Sequence, residues 1–203
     1  TLAGRDLVQQ RVLHSDYRYC DYNFLNLIGW RFMYDTEVAD YKGWLLFRFK
    51  ADGHLAYQIP VGNGDRKDII KDMLDDAQQQ GHPFLMLGVF EHALAQLEMA
   101  AEKAEEETHD KFTYEAERQA LVTMFDNWEA TGARGGALIV DNEIIAFTLG
   151  AGINYDTFDV CIEKADTQYE GAFTIINRDF VRSLPEQYVY INREEDLGLP
   201  GLR

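Results

Sequence analysis

Apolar and polar positions follow two rhythms along the chain, one near 3.6 residues and one near 2, and their order predicts an α/β protein. Phe24, Leu27, Ile28 and Phe32 fall at helical spacing within an aromatic-rich stretch over 15–34, with Asp21 placed to cap the first turn. A core-facing helix is expected there. Gly43 opens the apolar run 44–49, Asp52-Gly53 makes a turn, and 54–59 returns as a hairpin partner that Pro60 and Gly62 end. Over 65–80, Ile69, Ile70, Met73, Leu74 and Ala77 keep the spacing of one buried helical stripe, closed by Gly81 and Pro83. A short buried strand over 84–87 and a further helix over 91–99 complete this half.

The second half begins with a charge run, Glu102, Glu105, Glu106 and Glu107, read as a solvated helix face. The clearest helix is predicted over 114–131, with Ala120, Leu121, Met124, Phe125 and Trp128 on one side and Gly132 as its stop. Residues 137–140, the turn Asp141-Asn142 and residues 143–149 form a strand, turn and strand. Another strand is expected over 157–163, then a helix over 171–184 that carries Phe173, Ile176, Phe180 and Val181 until Pro185 ends it. A last strand over 188–191 empties into a polar tail. No Pro/Ser-rich linker or short-period repeat interrupts the pattern.

Charge narrows the range of partners. The 203 residues hold 19 Lys+Arg against 35 Asp+Glu, a formal charge of −16. Broad nonspecific nucleic-acid binding needs Lys and Arg to displace counterions, and this balance opposes it while leaving room for a local basic pocket. No apolar run approaches the roughly 20 residues that span a bilayer, and the start lacks the order of a signal peptide, so a cytoplasmic setting is expected. Cys20 and Cys161 are too few for a disulfide framework, and His14, His54, His82, His92 and His109 are scattered without ligand spacing, so no metal site is expected. Cys161 sits in an apolar strand and reads as a small buried residue, as does Cys20.

The tail from Asn192 to Arg203 concentrates the candidate chemistry: Asn192, Arg193, Glu194, Glu195 and Asp196, then Gly198, Pro200 and Gly201. Ligands of open α/β sheets gather at the carboxyl ends of strands, where these groups emerge. Carboxylates there can bind an ammonium group or accept a proton, and Arg193 and Arg203 can clamp a carboxylate or phosphate. A loop that neutralises itself through local ion pairs fits the same spacing. Glu163, Lys164 and Asp166 end a strand and either share that cleft or form a surface ion-pair cluster. Asn177, Arg178 and Asp179 on the following helix are equally open.

The tail NREEDLGLPGLR over 192–203 resembles the hallmark of a bacterial protein family similar to the C-terminal domain of phosphatidylglycerol lysyltransferase. Further matches are GGALIVD over 135–141, IAFT over 145–148, INYDTF over 153–158, IEKA over 162–165 and GAFTIIN over 171–177. In the first half Ser15-Asp16, Cys20-Asp21 and NLIGWR over 26–31 also fit. The resemblance implies two tandem GNAT-like domains with mixed central sheets flanked by helices, as in Fem-type transferases, which pass an aminoacyl group from aminoacyl-tRNA to an amine or hydroxyl. Family members usually carry a basic segment between the halves and continue past the final Gly-Leu-Arg. Here Met99-Ala100 runs straight into Ala101-Glu102, and a missing segment near residue 100 is expected.

No Gln/Arg-x-x-Gly-x-Gly/Ala phosphate loop is present, which disfavours acetyl-CoA. Arg134-Gly135-Gly136 precedes a strand and reads as a tight turn, and Gly62-Asn63-Gly64 is a weak phosphate loop. The expectation is thus two GNAT-like halves, 1–100 and 101–203, forming an acyl- or aminoacyl-transferase-like protein. One of Glu194, Glu195 and Asp196 orients or deprotonates the acceptor. Asn192, Arg193 and Arg203, with Glu163 and Lys164, hold substrate, while Gly198 and Gly201 let backbone approach it. No cofactor is expected; aminoacyl-tRNA or acyl-CoA is the donor, and the acceptor is small or lipid-like. The rival is a noncatalytic ligand-binding protein, and a structural role is a third reading.

Overall fold

A computed structural model describes residues 2–51, 53–87 and 114–194. Two four-stranded sheets organise the described chain. A single 3₁₀ turn precedes α1 (Arg5–Val12), a second covers Cys20–Tyr22, and α2 (Phe24–Gly29) and α3 (Arg31–Tyr34) follow. The first sheet contains β1 (Glu37–Tyr41), β2 (Trp44–Ala51) and β3 (His54–Gln58), then α4 (Lys67–Gln79) crosses to β4 (Leu85–Leu87). After α5 (Tyr114–Asp126) and α6 (Trp128–Thr131), the second sheet repeats the scheme. It runs β5 (Arg134–Val140), β6 (Glu143–Gly152) and β7 (Thr157–Ala165), then α7 (Ala172–Ser183), then β8 (Tyr190–Asn192).

Each sheet is a mixed one of the same design. The first three strands pair antiparallel through tight turns, and the fourth pairs parallel to the third across a helix. A parallel neighbour requires such a crossover because the chain must return to the starting edge. The chain divides into two compact units, Trp30–Val122 around the first sheet and Thr1–Gly29 with Thr123–Arg203 around the second. The expected division near residue 100, the helices over 91–99 and 101–110, and the suspected join at Ala100 lie outside the described residues.

In the first unit α4 lays Ile69, Met73 and Ala77 on Trp44, Leu55 and Tyr57, as the helical stripe requires. In the second, α7 covers two clusters: Ala172 and Ile176 on Ile145 and Ala146, and Phe180 on Phe158 and Val160.

Several elements depart from the sequence pattern, each for a local reason. Asn23 caps α2 in place of Asp21, its Oδ1 accepting the Leu25 N–H at 3.0 Å. The helix expected through 24–32 ends at Gly29, and Phe32 is exposed. The helix expected over 114–131 breaks at Asn127, whose Nδ2 donates to the Thr123 carbonyl at 2.7 Å. Phe125 and Phe173, expected inside, are exposed; Phe125 stacks on Trp128 with ring centroids 5.6 Å apart. Arg134-Gly135-Gly136 is strand rather than turn: a Cβ on Gly135 would meet the Trp128 ring at 2.7 Å and the Thr148 carbonyl at 2.8 Å, so glycine there permits close packing. The edge strand β1 escaped notice because most of its side chains are exposed and show no apolar alternation.

A polar clasp ties β2 and β3 to α4. Tyr57 donates to Asp76 Oδ2 at 2.6 Å and Arg48 Nη1 donates to the same oxygen at 2.8 Å. Burial opposes the Asp76 charge, but these hydrogen bonds prevail and hold its carboxyl below the usual range. The folded pKa is below the unfolded value of about 3.9, so the stabilisation is complete above that value and lost as pH falls through the folded one. Urea unfolding should show Asp76→Asn less stable than the parent at neutral pH, with the gap narrowing as pH falls below about 4. Tyr57→Phe should cost about 1 kcal/mol by the same measurement.

Candidate functional site

The parallel pair β7 and β8 stops at Asp159↔Asn192, while β7 runs on to Ala165. The chain beyond β8 is therefore free to turn away, and it does so with a side-chain device. Asn192 Oδ1 accepts the Glu194 N–H at 2.8 Å, its Nδ2 donates to the Arg18 carbonyl at 2.6 Å, and Glu194 takes a left-handed φ of 64°. Such a conformation costs a non-glycine residue about 1 kcal/mol and persists only where surroundings impose it. Asn26 Nδ2 supplies part of that constraint, donating to Glu194 Oε1 at 2.8 Å.

A β-bulge in β7 prepares the other side of the site. Ala151 pairs with Asp159 and Leu149 with Ile162, so Gly150 faces two residues, Val160 and Cys161. A side chain at Gly150 would overlap the Asp159 carbonyl and the Phe158 ring. Phe158 and Val160 then pack with Phe180, while Asp159 and Cys161 face Asn23. Asn23 Nδ2 donates to Asp159 Oδ2 at 2.9 Å, to Cys161 Sγ at 3.4 Å and to the Ala151 carbonyl at 3.3 Å. The Cys161 thiol lies 3.4 Å from the same Asp159 oxygen.

The result is a compact polar cluster inside the second unit. Asp159 is fully buried, Cys161 and Cys20 are buried, and Glu194 is half-buried. Ligand atoms of Asp159, Cys161 and Glu194 all lie within 4.8 Å of one another. Burial, reinforced by the charge of Asp159, pushes the Glu194 carboxyl well above its ordinary range, and burial raises Asp159 too. Burial and the neighbouring carboxylates likewise push up the Cys161 and Cys20 thiols, so both are protonated at neutral pH.

Of the residues singled out in the sequence, Glu194 enters this cluster and Asn192 positions it. Arg193 turns outward, where its Nη2 meets Glu163 Oε1 at 2.8 Å while Asn177 Nδ2 donates to Glu163 Oε2 at 3.3 Å. Lys164 follows on β7. Arg178 and Asp179 pair with each other on the surface. Glu195, Asp196, Gly198, Gly201 and Arg203 lie outside the described residues. Sequence reasoning missed Asp159, Asn23 and Asn26. The signal for Asp159 was a single acidic residue between Phe158 and Val160 in an otherwise apolar strand.

A shallow groove of about 220 Å³ in the first unit is lined by Asp35, Glu37, Arg48 and Lys50 among others. Its charges are matched internally: Arg48 pairs with Glu37 at 2.6 Å and Lys50 with Asp35 at 2.8 Å. No helix among the described residues is long and apolar enough to cross a membrane.

Two successive mixed sheets of one design define a tandem α/β protein, and comparison with known proteins agrees. The family model described as phosphatidylglycerol lysyltransferase, C-terminal, matches residues 14–115 and again 102–203, so each match spans one sheet. The chain belongs to the family of the phosphatidylglycerol lysyltransferase C-terminal domain. It is similar to a crystal structure of a conserved protein of unknown function from Bacteroides thetaiotaomicron VPI-5482, at 34% identity and a TM-score of 0.88, covering 99% of this chain and 90% of that one. No curated protein matches.

Replacing Asn23 by Ala removes the donor shared by Asp159 and Cys161 together with the α2 cap. Chemical unfolding should show a loss of about 2–4 kcal/mol. Gly150→Ala should cost about 2 kcal/mol or more, because its Cβ meets backbone that cannot yield.

Proposed function

We propose that this protein is an acyl- or aminoacyl-transferase of tandem GNAT-like architecture, passing its acyl group to an amine or hydroxyl acceptor. The observation that carries the reading is the end of the β7 and β8 pairing at Asp159↔Asn192, with Glu194 turned inward onto Asn26 beside Asp159. Two mixed sheets of one design and membership of the family of the phosphatidylglycerol lysyltransferase C-terminal domain favour this class. Fold and family are the support; the chemistry is argued from the residues.

In this reading the acceptor nitrogen or oxygen attacks the donor carbonyl. The ionised form of Glu194, made a stronger base by its burial, takes the acceptor's proton, the bond between the acyl carbon and the donor oxygen or sulfur breaks, and the leaving group takes up a proton. Asp159 behind Glu194 keeps negative charge facing an incoming ammonium group; Asn26 fixes the Glu194 carboxyl and Asn192 its backbone. In this reading Arg193 exchanges its exposed pairing with Glu163 for a donor phosphate or carboxylate. Aminoacyl-tRNA and acyl-CoA are the donors to test, with small and lipid-like amines as acceptors.

The experiment is a transfer assay on the full chain with labelled aminoacyl-tRNA and acyl-CoA, alongside donor binding. Glu194→Gln should lower turnover about 100-fold or more while donor affinity and fold persist. Unchanged turnover removes Glu194 from the mechanism. Donor binding without product under every donor and acceptor would establish a ligand-binding protein instead.

A further inference from the structure

Two carboxyl groups and a thiol converge in the second unit, and one carboxylate oxygen among them has nothing to bind. Asp159 Oδ2 takes Asn23 and Cys161, but Asp159 Oδ1 is buried with no hydrogen-bond partner among the described residues. Asn26 Oδ1, beside Glu194, is in the same condition. Buried oxygens left without donors carry a desolvation penalty, and a cation beside the Asp159 carboxylate offsets its buried charge.

We propose that Asp159, Cys161 and Glu194 are the protein ligands of one divalent cation of the zinc class. The spacing suits it. Bonds of about 2.0 Å to oxygen and about 2.3 Å to sulfur in a tetrahedral site set an oxygen-to-sulfur edge of about 3.5 Å. Asp159 Oδ2 and Cys161 Sγ are 3.4 Å apart, and Glu194 lies within 4.8 Å of both. A sulfur donor selects zinc or cobalt over magnesium and calcium, which take oxygen alone. Three protein donors leave a fourth position for water or substrate.

The outer partners are also in place. Asn23 donates to Asp159 and Asn26 to Glu194, which is how metal-binding carboxylates are oriented by their neighbours. Entry of the cation expels the Cys161 proton and any proton held by the carboxyls, so uptake releases acid. The inference concerns the resting protein and does not rest on the transfer reading; a protein that transfers no acyl group can still hold the ion.

The test is titration of chelator-treated full chain with cobalt(II) and zinc(II), magnesium serving as control. The site predicts one cobalt per chain, a thiolate-to-cobalt absorption band in the near ultraviolet, and at least one proton released per ion. Binding at exposed histidines gives no such band. Cys161→Ser abolishes the band, Cys20→Ser keeps it, and Asp159→Asn and Glu194→Gln weaken cobalt binding at least about tenfold. The wild-type protein decides even where a variant fails to fold: no saturable uptake, no thiolate band or no proton release overturns the proposal. A band that survives Cys161→Ser in a folded protein overturns it as well.

Discussion

Two carboxyl groups held together away from water constrain the second unit more than any other feature. Asp159 is fully buried and Glu194 half-buried, and their side-chain partners among the described residues include the Asn23 and Asn26 amides and the Cys161 thiol. Charges removed from water without a cation to face them destabilise a fold unless their geometry is fixed from several sides. Here it is fixed from three: by the bulge in β7, by Asn23 and Asn26 on the N-terminal segment, and by the Asn192 turn after β8.

The repetition of the fold sharpens the point. Both sheets place a parallel fourth strand beside the third, and both pairs end after three paired residues. At the last paired position the first sheet has Gln58 opposite Leu87, whereas the second has Asp159 opposite Asn192. One scaffold thus carries a neutral amide in one copy and a carboxylate in the other. The polar cluster belongs to the second copy.

Much of the architecture was legible in the sequence because its elements follow simple periods. The α4 stripe, the hairpin of β2 and β3, the β5 to β7 strands and α7 all announce their buried faces. The helices that split did so for reasons the period does not carry: Asn127 turns its amide back onto Thr123, and Gly29 sits where a Cβ would press into the Met124 side chain. Site residues were only half legible. Glu194 stood out within a run of polar residues, but Asp159, Asn23 and Asn26 are single polar residues embedded in apolar elements. Their meaning depends on hydrogen bonds made across 136 and 168 positions of chain. Cys161 was read as a small buried residue, and it is buried; its carboxylate neighbours could not be inferred from its own strand.

Asp159 and Glu194 act on each other, and a double-mutant cycle measures that coupling. Urea unfolding in metal-free buffer would compare the parent with Asp159→Asn, Glu194→Gln and the double variant. Either neutralisation should relieve the pair and the second should add little to the first, giving a coupling of about 1 kcal/mol or more. Strictly additive effects would contradict it, because two groups that do not feel each other cannot form the centre described above.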